Sequence, residues 1–254
     1  MKLSVIVPAY NEVTSLALIL NKVAGALPSI EKEIIVVDDC SKDGTREYLQ
    51  DMVGDRIRYA CPVAGSPVQI TDTPAPGVAC TTIRSLFHER NQGKGAALRT
   101  GLRAATGDVF VIQDADLEYD PADWRNFWPL IAEGHADVVY GSRFSGAPHR
   151  CLYFHHFLAN RLISLLFSIL YNQILSDLEV CYKMFNKKAL ASLTLRSNDF
   201  GFEIEFSANV ARARWLRIYE LPVAYYGRTY TEGKKINWKD GVKALFYLFL
   251  YRLL

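Results

Sequence analysis

The sequence predicts an α/β fold: a mainly parallel sheet flanked by helices, with amphipathic helices added towards the carboxyl terminus. Three observations carry this. Apolar runs of strand length alternate with helical periodicities over the first 144 residues. Those runs are apolar on both faces, as in strands covered from both sides. After residue 150 the apolar spacing becomes helical in two long stretches. The expected organisation is one domain over 1–230, carrying an insertion at 60–82 and a helix at 152–175, then a basic and amphipathic extension over 231–254.

The elements follow in order. "LSVIVPAY" reads as a buried strand, and residues 14–26 as a helix with Leu16, Ile19, Leu20 and Val23 on one face. "EIIVVDD" (33–39) is a second strand. "SKDGTREYL" opens a helix, with Ser41 or Asp43 as the candidate N-cap. "IRYA" (57–60) and "IRSLFHE" (83–89) are strands around a long loop. "GKGAALRTGLRAA" (93–105) is helical, "DVFVIQD" (108–114) a strand, 121–133 a helix opened by Pro121, and "ADVVYGSRF" (136–144) another strand. Residues 60–82, with four Pro and two Gly, have no periodicity and read as a tolerated surface insertion, or else as a lid or partner contact.

Composition narrows the classes. Half of the 254 residues are hydrophobic, enough for a real core, and the net charge of +2 gives no reason to expect a nucleic-acid partner. The cations gather late: Arg212 to Arg228 holds four Arg against one Glu, and Lys234, Lys235, Lys239, Lys243 and Arg252 follow. Five scattered cysteines suggest no disulfide framework and no zinc site, so reduced thiols in the cytosol are expected. The amino terminus enters a strand directly, without the pattern of a signal peptide. "LISLLFSILY" and "ALFYLFLY" are each well short of the roughly 20 apolar residues that cross a bilayer. Aromatics mixed with Lys and Arg suit core packing, an oligomer contact or an in-plane membrane helix.

The chemistry concentrates where strands end. "FVIQDADLEYDP" delivers Asp114, Asp116, Glu118 and Asp120 to one strand end, a costly crowd of like charge unless a cation binds there. Hard divalent ions, Mg²⁺ or Mn²⁺, take such carboxylates together with substrate phosphates. The plainer reading is a solvated acidic turn with Asp120 capping the Pro121 helix. Asp38 and Asp39 end a second strand, and the Pro8-to-Glu12 turn ends the first. In a parallel sheet these ends share one edge, where ligands of such sheets bind. The Gly93-x-Gly95 turn lacks the spacing of a phosphate loop and reads as a tight turn into a helix.

Taken in order and spacing, "VIVPAYNE", "VVDDCSKDGT", "NQGKGAALRTGLRAATGD", "DADLEYDP" and "VVYGSRF" resemble the family 2 glycosyltransferases of GT-A fold. The branch most resembled is dolichyl-phosphate mannose synthase and its bacterial polyprenyl-phosphate relatives. The resemblance runs from residue 3 to about 243, interrupted at 60–82. It implies that the positions of Pro8, Tyr10, Glu12, Val37 and Asp39 hold the nucleotide. It further implies that Asp114, Ala115 and Asp116 take metal and diphosphate, with Glu118 as a further metal ligand, that Arg228 and Lys234 close over the donor diphosphate, that Arg143 faces an acceptor phosphate, and that Glu205 lies near the donor sugar.

The acceptor follows from what is absent and what is present. The Gln-x-x-Arg-Trp motif of many hydroxyl-directed members is missing, since Ala211 stands at the Gln position before Arg214-Trp215. Cations that suit phosphate are present instead. Asp177 matches a family acid, but Cys181-Tyr182-Lys183 departs from the Ser-Gly-Phe-Arg pattern of the eukaryotic type. The resemblance thus implies an inverting, metal-dependent transfer of a hexose from a nucleoside diphosphate sugar to a polyprenyl phosphate. Asp116, Arg143, Arg228 and Glu205 are expected to carry catalysis. The protein is expected in the cytoplasm at the inner face of the membrane, with a separate membrane protein or a second copy as further partner. Two alternatives stay open: transfer to a soluble or polysaccharide hydroxyl, and a nucleotide-sugar-binding protein without turnover.

Overall fold

The computed structural model describes residues 1–63, 66–74, 80–233 and 238–253. Its amino-terminal half alternates strand and helix: β1 (Leu3–Ala9), α1 (Val13–Gly25), β2 (Lys32–Asp38), α2 (Thr45–Met52), β3 (Arg58–Cys61), β4 (Gln69–Thr71), β5 (Thr81–Phe87), α3 (Lys94–Ala104) and β6 (Val109–Ile112). Then come α4 (Trp124–Ala132), β7 (Val138–Ser142), α5 (Phe154–Tyr171), β8 (Lys183–Asn186), α6 (Lys187–Ser192), α7 (Gly201–Arg212), β9 (Ile218–Pro222) and α8 (Trp238–Leu253).

The described strands form one sheet in the order β4-β3-β5-β2-β1-β6-β8-β7-β9. Its centre, β5-β2-β1-β6, is parallel, whereas β3 and β8 run antiparallel to their neighbours. The reason is legible in β1 and β2. Leu3, Val5, Ile6, Val7 and Ile34 to Val37 are buried on both faces, and each such side chain contributes about 1.5–3 kcal/mol. Alpha helices cover both faces, α1 presenting Leu16, Ile19, Leu20 and Val23 as its buried stripe.

Several expectations are corrected. The helix α2 is entered through Gly44 at φ +99° rather than through a Ser41 or Asp43 cap, although Asp43 Oδ1 still accepts from Thr45 N at 3.0 Å. Pro121 opens a single 3-10 turn ahead of α4, with Asp120 accepting from Ala122 N. Cys61 and Cys80 form a disulfide. Antiparallel pairing of β3 with β5 sets Ala60 opposite Thr81, which brings the two cysteine Cα atoms to 4.4 Å. Strand pairing, invisible in the cysteine spacing, creates this neighbourhood, and the expectation of uniformly reduced thiols loses its basis. Cys40, Cys151 and Cys181 are free. The insertion adds β4 to the outer edge of the sheet through β3.

The carboxyl-terminal elements complete the body. Helix α5 ends at Asn172 in the left-handed conformation, and α8 packs Ala244, Leu248 and Tyr251 into the core beside α7 and α5. Among the described residues no helix is long and apolar enough to cross a membrane.

Candidate functional site

Because β1 lies between β2 and β6 in parallel, their carboxyl ends open on one edge of the sheet. A cleft of about 1230 Å³ lies there. Pro8, Tyr10, Glu12, Asp39, Asp114, Ala115, Asp116, Glu118, Arg143 and Arg228 line it. Most of the residues singled out in the sequence are therefore brought together.

Asp114, Asp116, Glu118 and Glu203 are each matched with a cation. Arg228 donates through Nη2 to Asp116 Oδ2 at 2.6 Å and through Nε and its backbone N to Glu118 Oε1 at 3.2 and 2.8 Å. Its Nη1 lies 3.5 Å from Glu12 Oε2. Tyr225 donates to the other Glu118 oxygen at 3.0 Å. On the opposite side Lys94 Nζ sits 2.8 Å from Asp114 Oδ1 and 3.4 Å from Glu203 Oε1, while Glu203 also pairs with the buried Lys183. Lys94 was not foreseen, since its Gly-Lys-Gly setting looked like a turn alone.

That turn has a steric reason. A Cβ on Gly93 or Gly95 would fall 2.3 or 2.4 Å from a backbone oxygen of Asn198 or Ser197. The glycines let the 196–199 segment close onto the start of α3, which aims Lys94 into the cleft. Asp39 fixes the same turn, accepting from Gln92 N at 2.8 Å, from Gly93 N at 2.7 Å and hydrogen-bonding His88 Nδ1 at 2.7 Å.

Burial, and then the neighbouring Asp114 and Glu118 carboxylates, push Asp116 up to about 7 in spite of Arg228. Burial acts the same way on Asp114, but Lys94 outweighs it and holds that carboxyl below its ordinary range. An acid cluster that retains a proton near neutrality is short of positive charge. Asp114, Asp116 and Glu118 supply hard oxygen donors, so the donor set fits Mg²⁺ or Mn²⁺. Among the described residues no three such side chains converge as a ready metal cage. An ion would compete with Arg228 for Asp116 and with Lys94 for Asp114.

Arg143, after β7, is held by Asp177 at 2.7 Å through Nε and 2.6 Å through Nη2, and its guanidinium stacks 5.1 Å from the Tyr225 ring centroid. Asn160 of α5 donates to the same Asp177 at 2.9 Å. Three expected residues stand apart from the cleft. Val37 is buried in the core. Asp38 is buried and paired with Arg46 at 2.7 Å. Glu205 accepts from Arg196 N and Ser197 N through both oxygens, bracing the loop ahead of α7, and does not line the cleft. Glu203, two residues earlier, is the one that lines the cleft. Lys234 lies outside the described residues. None of the described residues of the 60–82 insertion lines the cleft.

Beyond Arg143 the cleft turns apolar. Leu152, Phe154, Phe157, Leu162 and Ile163 of the α5 side face Val242 and Leu245 of α8. Phe154, Leu158, Leu162, Leu165 and Ile169 form an exposed stripe on α5 that starts in the cleft, and Val242, Phe246, Phe249 and Leu253 form a second on α8. The exposed cations Arg161, Lys243 and Arg252 border these stripes.

Comparison with known proteins fits this architecture. Glucosyl-3-phosphoglycerate synthase from Mycobacterium tuberculosis, crystallised with Mn²⁺, UDP and glucosyl-3-phosphoglycerate, superposes with a TM-score of 0.66 at 17% identity, covering 100% of this chain and 80% of that one. The same enzyme has been crystallised with Mg²⁺ and UDP (TM-score 0.65, 16% identity). A dolichol-phosphate mannosyltransferase of Pyrococcus furiosus is 32% identical over 57% of this chain and 34% of its own length. Glycosyltransferase AglJ of Haloferax volcanii is 25% identical over 98% of this chain and 70% of its own. An undecaprenyl-phosphate 4-deoxy-4-formamido-L-arabinose transferase of Aeromonas hydrophila is 31% identical over 54% of this chain. The match spans about a third of the first and third relatives' lengths. The family described as Glycosyl transferase family 2 matches residues 4–60 and 73–194, well over half of the chain. The chain belongs to glycosyl transferase family 2.

Proposed function

We propose that this protein transfers a hexose, with inversion, from a nucleoside diphosphate sugar to the phosphate of a polyprenyl phosphate at a membrane surface. One observation carries the reading: a single cleft runs from the acid cluster at Asp114 to Glu118, past Arg143, to the apolar faces of α5 and α8. A diphosphate suits the first part, a phosphate the second and a hydrocarbon chain the third. The names of the Pyrococcus and Aeromonas relatives support a lipid-phosphate acceptor. The UDP-bound, metal-bound neighbours support a nucleotide donor.

In this reading Pro8, Tyr10, Glu12 and Asp39 receive the nucleoside. Asp114, Asp116 and Glu118 would hold Mg²⁺ or Mn²⁺, which when bound draws charge from the diphosphate. Arg228, released from Asp116, turns to the leaving diphosphate and stabilises its developing charge. Arg143, kept in place by Asp177, meets the acceptor phosphate. A phosphate monoester is ionised at neutral pH and attacks the anomeric carbon without a base, which accounts for acids already committed to cations. The exposed stripes of α5 and α8 with their cationic border suit the headgroup boundary of an anionic inner leaflet.

A soluble hydroxyl acceptor is the second reading, favoured by the phosphoglycerate-bound neighbours. Thermal shift with GDP-mannose, UDP-glucose and UDP-N-acetylglucosamine tests the donor site, because a ligand of the native state raises Tm. The expected result is Mn²⁺-dependent stabilisation by one nucleotide class and sedimentation with anionic vesicles. Failure of every sugar nucleotide to stabilise the protein would remove the donor half; failure to sediment would favour the soluble acceptor.

A further inference from the structure

The segment 177–182 crosses the cleft between its two charged regions. At one end Asp177 grips Arg143 at 2.6 and 2.7 Å. At the other, Tyr182 donates to Gln113 Oε1 at 2.7 Å and Cys181 lies against Asp114 and Ile112 O. Glu179 stands midway and lines the cleft. Unlike Asp114, Asp116, Glu118, Asp177 and Glu203, its carboxylate has no hydrogen bond or ion pair with any described residue. A half-buried carboxylate without a partner is costly, and a site built to hydrogen-bond a ligand shows this pattern.

We infer that Glu179 accepts hydrogen bonds from hydroxyl groups of the transferred sugar, and so selects neutral hexoses over sugars that carry a carboxylate. This rests on the function proposed above, since only there does the space between Asp114 and Arg143 hold the sugar. The position argues for the sugar rather than for either phosphate: an anion facing an anion would be repelled, while hydroxyl donors satisfy both carboxylate oxygens. Burial pushes Glu179 up to about 7, as expected of a carboxyl awaiting donors. Above that pH its negative charge makes a uronic acid sugar a poor ligand, because two carboxylates would share a poorly solvated space.

The test compares wild type with Glu179→Gln and Glu179→Asp, using UDP-glucose, GDP-mannose and UDP-glucuronate as donors and UDP and GDP alone as nucleotide controls. Glu179→Gln should lower kcat/KM for the preferred neutral donor by about tenfold to a hundredfold, the loss of a hydrogen bond to a charged group. Affinity for the nucleotide alone should stay within about twofold, since the sugar contact is absent there, and discrimination against UDP-glucuronate should narrow by about tenfold. Glu179→Asp retains the charge and should keep rejecting UDP-glucuronate while losing kcat/KM, so it decides the matter even if the Gln variant folds poorly. Equal losses for nucleotide and sugar nucleotide, or an unmoved donor preference in an active enzyme, would overturn the inference alone. A wild type that turns over no sugar nucleotide would overturn this inference and the proposed function together.

Discussion

The two edges of the sheet put buried carboxylates to opposite uses. At the amino edge Glu33 is as buried as many site residues, yet its carboxyl falls to about 2: burial opposes this, but Lys2, Ser4 and both donors of Thr106 outweigh it. Asp137, hydrogen-bonded by the Arg217 side chain and backbone and by Asn186, lies well below its ordinary range. At the carboxyl edge Asp116 and Glu179 rise to about 7, burial being the first cause in each. The difference lies in the number of donors within reach. Glu33 and Asp137 have enough donors to outweigh burial, whereas in the cleft burial and neighbouring carboxylates outweigh Arg228 at Asp116, and Glu179 has no hydrogen-bond partner among the described residues.

The sharpest way to test that contrast is to neutralise one acid at each edge. Asp116→Asn is expected to reduce turnover on the order of a thousandfold, through several kcal/mol of lost charge stabilisation, with little loss in stability. The sign follows from its raised carboxyl. A group that ionises near 7 when folded and near 4 when unfolded makes the protein less stable as pH rises between those values. The Asn variant should therefore match or exceed the wild-type Tm at pH 8 and lose that advantage at pH 4. Calorimetry across this range checks it.

Opening the Cys61–Cys80 disulfide with serines at both positions is a control at the far edge. The loop it closes spans 19 residues, so about 3 kcal/mol of stability should go, while kcat is unchanged because the described insertion does not line the cleft. A parallel fall in kcat at full folding would show that the insertion reaches the site.

Glu33→Gln is expected to cost about 2 kcal/mol at neutral pH, with turnover retained after folding. Here the carboxyl is depressed, so its contribution is present above about 4.5 and is lost as pH falls through about 2. Denaturant unfolding of wild type and variant should converge as the pH is lowered. The smallest effect is expected from Phe246→Ser with Phe249→Ser on the exposed face of α8: a few-fold weaker binding to anionic vesicles and almost no change in Tm, since neither side chain is in the core.

The central strands and most of the cleft were legible in the sequence because both rest on local signals. Continuous apolar runs gave β1, β2, β6 and β7, and charges crowded at their ends gave Asp114, Asp116 and Glu118. What stayed hidden depends on long-range pairing. Strand β8 begins with Lys183, whose charge argues against burial until Glu203 is known to meet it. Strand β9 is half-exposed at the edge and carries no alternating pattern. Cys61 and Cys80 become neighbours only when β3 meets β5. The Glu203–Glu205 pair shows the limit most clearly: on a helix, residues two apart point to nearly opposite sides, so only one could face the cleft. The family resemblance favoured Glu205, but it is Glu203 that α7 presents to the cleft.

The most direct measurement follows the sugar itself. Purified protein, Mn²⁺ and the stabilising sugar nucleotide, labelled in the hexose, are mixed with anionic vesicles containing undecaprenyl phosphate, and the lipid phase is extracted. Label is expected in the lipid phase as an acid-labile phosphodiester, abolished by chelation and by Asp116→Asn. Label that stays in the aqueous phase, attached to a soluble alcohol or still on the nucleotide, would contradict it.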